Sequence, residues 1–440
     1  MKAFHRVLLN TAVANTATAF LWFGWTFWVY LETRSVLLNA ILGGSYMALL
    51  SISSLFFGVL VDRFKKKHVM VFSSVLTTAG FVLAGGLFWL LPTESVTDLR
   101  APWFWILGGL ILGGAVVENM RNIALSTTVT LLVPDGDRDK ANGMVGAVQG
   151  FAFLATSIFA GLSIGFLGIH WTLGLASAAT GLALVHLLWV PIPEEGVQRD
   201  PDAATKIVDL SGSLRAVRAV PGLMALILFS CFNNFVGGVM MALLDPYGLT
   251  MFSVQIWGFV LGITSIGFIV GGLVVAKRGL GTQPLRTLLL VNVALSVIGA
   301  LFVLREWPWL FVLGIAAYMF LIPAAEAAEQ TIIQRVVPLE RQGRVFGFAM
   351  SVETAATPIS AIAMGPIAEF WLIPWVDSPA GQATWGWLLG EGDARGMALV
   401  FVLSSVLLLL VVLLAFRTKA YARLSRAYAA SAPPARDVVS

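Results

Sequence analysis

Apolar residues in this chain follow neither the two-residue alternation of a half-buried strand nor a single stripe along a helix. They continue for about 20 residues at a time, the length that crosses a hydrocarbon layer, and each run closes on a short charged or glycine- and proline-containing break. The runs predict twelve membrane-spanning helices, at 6–30, 38–61, 69–91, 103–132, 143–167, 171–190, 221–244, 255–276, 287–304, 308–334, 344–371 and 395–416. Backbone groups in lipid must pair within their own segment, so these runs are helices, and the alternating pattern of a transmembrane barrel is absent. The predicted fold is all-α: an integral membrane protein of twelve transmembrane helices in two six-helix halves.

The longest polar interruption in the middle of the chain runs from Pro191 to about Arg218 and carries Glu194, Glu195, Arg199, Asp200, Asp202, Lys206 and Asp209. It sets the expected division: a first six-helix half at 1–190, a cytoplasmic linker at 191–220, a second half at 221–416 and a cytoplasmic tail at 417–440. The first apolar run begins almost at Met1 and continues through Trp28, longer than a signal-peptide core, and reads as a retained span.

Composition agrees with a chain that is mostly membrane. Of 440 residues, 58% are hydrophobic and 12% charged, with a mean hydropathy of +0.86, more apolar surface than a water-soluble core could absorb. The single cysteine, Cys231, excludes a disulfide framework and reads as buried packing, and His5, His68, His170 and His186 are scattered singly, so neither a metal nor a cofactor is expected. With the amino terminus inside, all but five of the 28 Lys and Arg fall on the inner side; Arg34, Arg100, Arg305 and Arg395 fall outside and Arg121 lies within a span. Both termini are therefore expected in the cytoplasm, and the membrane is expected to be a bacterial cytoplasmic membrane. The net charge of +4 calls for anionic membrane lipid rather than nucleic acid as partner.

The two halves share an echo. LLVPDGDRDKANGMVGA and QRVVPLERQGRVFGFAM pair Pro134 with Pro338 and Gly143 with Gly347. Duplication of a six-helix half is the signature of a transporter whose substrate site lies between two repeats and opens alternately to each side.

Between the second and third runs stand Gly58, Asp62, Arg63, Lys65, Lys66 and Lys67. This loop resembles the signature loop of the major facilitator superfamily, with Lys65 where that pattern usually has a second glycine. A plain positive-inside loop accounts for the lysines but not for Gly58, Asp62 and Arg63 at these spacings. The resemblance implies a gating role for Gly58, Asp62, Arg63, Lys66 and Lys67, the acid pairing across the half boundary and holding one conformation shut. TFWVYLETRSVLLNAILGGSYM followed by LFFGVLVDRFKKK resembles the macrolide-efflux group of drug:proton antiporters. That family's fifth-helix motif is partly kept: Gly146 and Gly150 preserve close packing, while Phe151 and Leu154 replace a proline and a glycine.

Ionisable groups inside spans are costly and are candidates for function. On the fourth run Glu118 and Arg121 share one helix face, and Arg121 lies about 20 Å before Pro134; they read either as a structural ion pair or as binding and coupling groups. On the tenth run Glu326 and Glu329 share a face, and Glu329 and Glu353 both lie about 13 Å from the inner helix ends. Two acids at one depth can share one proton and release it when the site opens to the other side, the task of a proton carrier; the alternative is a hydrogen-bonded brace. Asn10 and Asn15 on the first run, with Asn233 and Asn234 on the seventh, either face the same cavity or bond neighbouring helices. Trp22, Trp25, Trp28, Trp103 and Trp105 fit an aromatic belt, with Trp22 the deepest and the one placed to stack on substrate. Asp245 with Pro246 is expected to end the seventh helix, and Glu32 and Arg34 to lie in a solvated loop.

The expected function is proton-coupled efflux of drugs or amphipathic compounds such as macrolides, carried out by a monomer on small-molecule substrates. A specific metabolite, siderophore or lipid transporter of the same fold is the alternative. A membrane enzyme or receptor is disfavoured, since no nucleotide-binding glycine loop, HExxH helix or nucleophile elbow occurs.

Overall fold

The computed structural model describes residues 2–33, 36–194, 210–390 and 394–431. Arg34, the linker charges Glu195, Arg199, Asp200, Asp202, Lys206 and Asp209, and the tail beyond 431 lie outside the described residues. Twelve long helices are found among those residues: α1 (Lys2–Thr33), α2 (Val36–Arg63), α3 (Lys66–Leu90), α4 (Pro102–Leu132), α5 (Arg138–Leu162), α6 (Gly168–Trp189), α7 (Leu223–Met251), α8 (Val254–Arg278), α9 (Pro284–Leu301), α10 (Pro308–Val336), α11 (Leu339–Ile367) and α12 (Arg395–Arg417). Ten of their stretches are long and apolar enough to cross a membrane; one of these, Asp135–Trp189, runs for 55 residues and contains both α5 and α6. Helix α11, charged at Glu340, Arg341, Arg344 and Glu353, is not among the ten.

Packing repeats between the halves. Helix α1 packs on α5 and α6 as α7 packs on α11 and α12, and α3 on α4 and α6 as α9 on α10 and α12. Two seams join the halves, α2 against α11 and α5 against α8, and each is the other's counterpart under the duplication. Helices α5 and α11 both end in a π turn, Ser163–Leu167 and Ala368–Leu372. Phe4 packs beside Val133 and Ala141 at the α4–α5 turn, and the guanidinium of Arg335 at the end of α10 lies over Tyr428 of the last helix, Lys419–Ala430, so both described chain ends lie at one face, the terminal face.

Leu90, Phe166, Leu182 and Leu414 project outward with nothing apolar over them, as lipid-facing side chains do. Trp89, Trp103, Trp105, Trp171, Trp307 and Trp309 are exposed at helix ends on the opposite face, the position of an interfacial belt. Trp25 and Trp28 depart from that expectation: both are buried in the first half, where Trp25 packs on Phe104 and Trp28 on Phe88.

Two other expectations are corrected. Helix α7 does not stop at Asp245 and Pro246 but continues to Met251. A proline deletes one helical hydrogen bond, and here the chain keeps its course while the Asp245 carboxylate accepts from Trp257 Nε1 on α8 at 2.9 Å. Before α12, Ile373–Asp377 and Pro379–Leu389 form two short helices, and Arg305 donates to the carbonyls of Leu388 and Trp387. Arg395, read as an outer-loop charge, is buried and bonded to Glu306 at 2.6 Å and to the Tyr247 hydroxyl at 3.1 Å.

Candidate functional site: a sealed cavity between the halves

The signature loop forms the seal on the α2–α11 seam. Asp62, at the end of α2, accepts from the backbone N–H of Gly343 (2.6 Å) and Arg344 (2.9 Å), the fifth and sixth residues of α11 and so near the positive end of that helix, and Arg344 Nε lies 3.3 Å away. Gly58 is required by this approach: a Cβ there would strike the Gly343 carbonyl. Lys66 caps the arrangement from below, its Nζ 3.5 Å from Glu194, and Lys67 donates to the Leu188 carbonyl. Arg63 is the last residue of α2. Lys65 adopts φ −57°, an ordinary backbone conformation, so the family's second glycine is dispensable here.

The α5–α8 seam closes with the roles exchanged. Asp139, in the first turn of α5, accepts from Leu280 N–H at 2.6 Å, just past α8. With Pro134 laid on Pro338, Asp139 falls on Gly343, so the position that donates in one half accepts in the other. Gly143, Gly146 and Gly150 carry the close packing, against Val275 and Ala276, Pro323, and Phe268 and Ile269. Between the seams Asn142 donates to Thr331 and Gln334, Gln334 to the Ser126 carbonyl, and Thr130 to Gln342. Asp135 pairs with Arg138 at 2.8 Å and with Arg335 at 3.4 Å. The furthest of these inter-half bonds from the terminal face, Ser51 to the Ser351 carbonyl (2.8 Å), lies about 18 Å along α2 from Arg63.

Behind the seal lies a cavity of about 680 Å³ lined from both halves, within the range of small-molecule sites. Its walls are mostly apolar, with Met240, Met319 and Met350 among them, and Glu326, Glu329 and Glu353 are its ionisable acids. Glu329 on α10 and Glu353 on α11 lie against each other in the cavity wall, with Ser230 of α7 beside Glu329. The structure brings together these two acids, which lie at one depth on consecutive helices.

Asn233 and Asn234 line the same cavity, and Asn15 reaches it through Asn122, to which it donates at 2.8 Å. Trp22 stacks on Tyr46 with centroids 4.7 Å apart and is not among the lining residues. Asn10 turns inside the first half, donating to the Ala183 carbonyl at 2.6 Å.

Glu118 and Arg121 also stay within the first half. Arg121 Nε lies 2.6 Å from Glu118, its other nitrogens donate to Asn10 and Ser74, and both side chains are buried away from the cavity. Every group that Arg121 engages belongs to α1, α3 or α4, the geometry of a brace.

Asn122 and Gln149 were not picked out from the sequence. The echo held the signal: carried along the helices, its register places Asn122 on Glu326 and Gln149 on Glu353, and all four line the cavity. The bolts Asp139 and Asn142 and the latch of Asp135, Arg335 and Tyr428 were missed because nothing local separates them from solvated loop residues.

A family model described as Major Facilitator Superfamily matches residues 7–361. Macrolide efflux protein A of Enterococcus faecalis is 23% identical over 313 residues, 69% of this chain and 92% of that protein. Enterobactin exporter EntS of Escherichia coli O1:K1 / APEC is 23% identical over 373 residues, 82% of this chain and 80% of that one. Among solved structures, a bacterial homologue of the iron transporter ferroportin in an outward-facing state superposes with a TM-score of 0.68 at 15% identity, covering 95% of this chain and all of that one.

Proposed function

We propose that this chain, which belongs to the Major Facilitator Superfamily of transporters, is a secondary active exporter that moves amphipathic compounds such as macrolides by alternating access, driven by protons. The observation that carries the reading is the acid pair Glu329 and Glu353, side by side in the wall of a largely apolar cavity between the halves. The macrolide-efflux relatives support the substrate class. The excess of Lys and Arg near the terminal face supports that face being cytoplasmic, which makes the sealed form one closed to the cytoplasm.

In the cycle, substrate would leave the cavity toward the opposite face while Glu329 and Glu353 take up protons from that side. Reversal would break the Asp62 and Asp139 bonds and open the cavity to the cytoplasm, where the protons depart and new substrate enters.

The Enterobactin exporter relatives favour a second reading, a specific metabolite or siderophore exporter. Purified protein in proteoliposomes, given an imposed proton gradient and a panel of macrolides and dyes, tests both. Gradient-driven movement of several unrelated amphipathic compounds is expected; movement of one metabolite alone would favour the second reading. Reporter fusions after Lys67 and Arg426 should report the cytoplasm and one after Asp98 the exterior.

A further inference from the structure

The three cavity acids are not equivalent. Glu329 and Glu353 lie against one another, and the Oε1 of each is buried without a hydrogen-bond partner. Glu326 is exposed to the cavity, and its carboxylate has no hydrogen-bond or ion-pair partner among the described residues. On α10 it stands below Ile322 and Tyr318, at spacings of four that align the three on one helical face, and all three line the cavity. Among the described residues no Lys, Arg or His lines the cavity.

We propose that Glu326 is the residue that reads substrate charge, selecting compounds with one cationic group on an apolar body, while Glu329 and Glu353 serve the proton. A cation beside Glu326 supplies the counter-charge that the protein withholds. The apolar body meets Ile322, Met319 and Met350, and methionine side chains adapt to different shapes, so charge is fixed more strictly than outline. An anion entering the cavity leaves its hydration shell and meets acids with no lining cation to replace it. This assignment rests on the reading above that the cavity is the substrate site.

The test uses three ligands of nearly one shape: methyltriphenylphosphonium, neutral triphenylphosphine oxide and the methyltriphenylborate anion. Binding to the purified full chain in detergent is measured by equilibrium dialysis. Wild type is expected to hold the phosphonium at least about tenfold more tightly than the oxide, the scale of one charge-assisted contact, and not to retain the borate. Glu326→Gln should erase the phosphonium preference while binding the oxide as wild type does, which also certifies its fold. Glu326→Asp and Glu329→Gln should keep the preference. The assignment is overturned by borate bound as tightly as phosphonium, by a full cation preference in Glu326→Gln, or by no phosphonium binding in wild type. Absence of proton-driven transport by wild type, with the binding ratios intact, would instead remove the efflux reading and leave the charge reader standing.

Discussion

Two walls of one cavity, built from equivalent positions in the two halves, carry different chemistry. With Pro134 laid on Pro338, Asn122 falls on Glu326, Leu125 on Glu329 and Gln149 on Glu353, and all six line the cavity. The second half presents acids to the cavity where the first presents neutral groups. The first half has an acid of its own, Glu118, but holds it against Arg121 inside its own helix bundle. The difference separates two uses of a buried charge: one compensated on the spot, which stiffens a half, and one left to exchange partners, which can do work when access changes.

The sharpest way to break this comparison is to neutralise the second wall. Glu329→Gln or Glu353→Gln should abolish proton-driven accumulation while leaving downhill substrate exchange, measured in the same proteoliposomes with and without a gradient. Accumulation by both variants with unchanged pH dependence would end the carrier assignment. Gln149→Glu in the Glu353→Gln chain asks whether the position or the half matters; partial return of accumulation would mean that either wall can hold the proton.

Next in size is the first half's pair. Arg121→Ala leaves Glu118 buried without its charge partner and should cost about 3–5 kcal/mol of stability, read as a large fall in thermal midpoint and yield. The double change Glu118→Leu with Arg121→Met removes both charges and should recover much of that loss, with proton-driven transport per folded molecule close to wild type. Stable protein that no longer couples to protons would move the pair from brace to mechanism.

Much of this was legible in the sequence, for identifiable reasons. Runs of about 20 apolar residues give the spans because lipid leaves the backbone no other choice. The signature loop pointed to Asp62, and depth along α10 and α11 pointed to Glu329 and Glu353. What stayed hidden depends on direction around a helix axis: Asn10 and Asn15 sit on one helix, yet one faces His186 and the other Asn122. Helix α7 ran past Pro246 because a membrane helix tolerates a lost bond, and the helices from Ile373 to Leu389 are positioned by Arg305, distant in sequence.

A smaller effect is expected at the seal, where the halves do resemble each other. Asp62→Asn keeps the side chain's shape but gives up its charge toward two backbone donors and Arg344, each such bond being worth about 1.5–3 kcal/mol. The sealed form should lose population and transport should fall several-fold at matched protein levels, with expression near normal. Asp139→Asn should act in the same direction on the other seam; if one variant is silent while the other is not, the two seams are not equivalent bolts.

The smallest effect tests whether the asymmetry of the walls continues at the terminal face. Arg335 reaches from the second half to Asp135 of the first, and its register mate is the apolar Leu131, so here too charge stands in one half against a neutral equivalent. The ring of Tyr428 lies 4.2 Å from the Arg335 guanidinium. Leu424 anchors the same helix against Gly222, where φ is +91° and a Cβ would collide with Leu424 and the Ala420 carbonyl. The terminal helix therefore moves with the second half and aims Arg335 at Asp135. A cation–π contact at a partly exposed site is worth about 0.5–1 kcal/mol, so Tyr428→Leu, which keeps apolar volume, should shift the sealed population only about two- to fivefold. Arg335→Gln removes the ion pair as well and should shift it further. Distances between spin labels at Gly136 and Glu340, across the two halves at this face, would report both populations directly. An unchanged distribution in Tyr428→Leu alongside a broadened one in Arg335→Gln would confine the terminal helix to packing, and an unchanged distribution in both would make the seal the work of Asp62, Asp139 and the Asn142–Gln334 bonds alone.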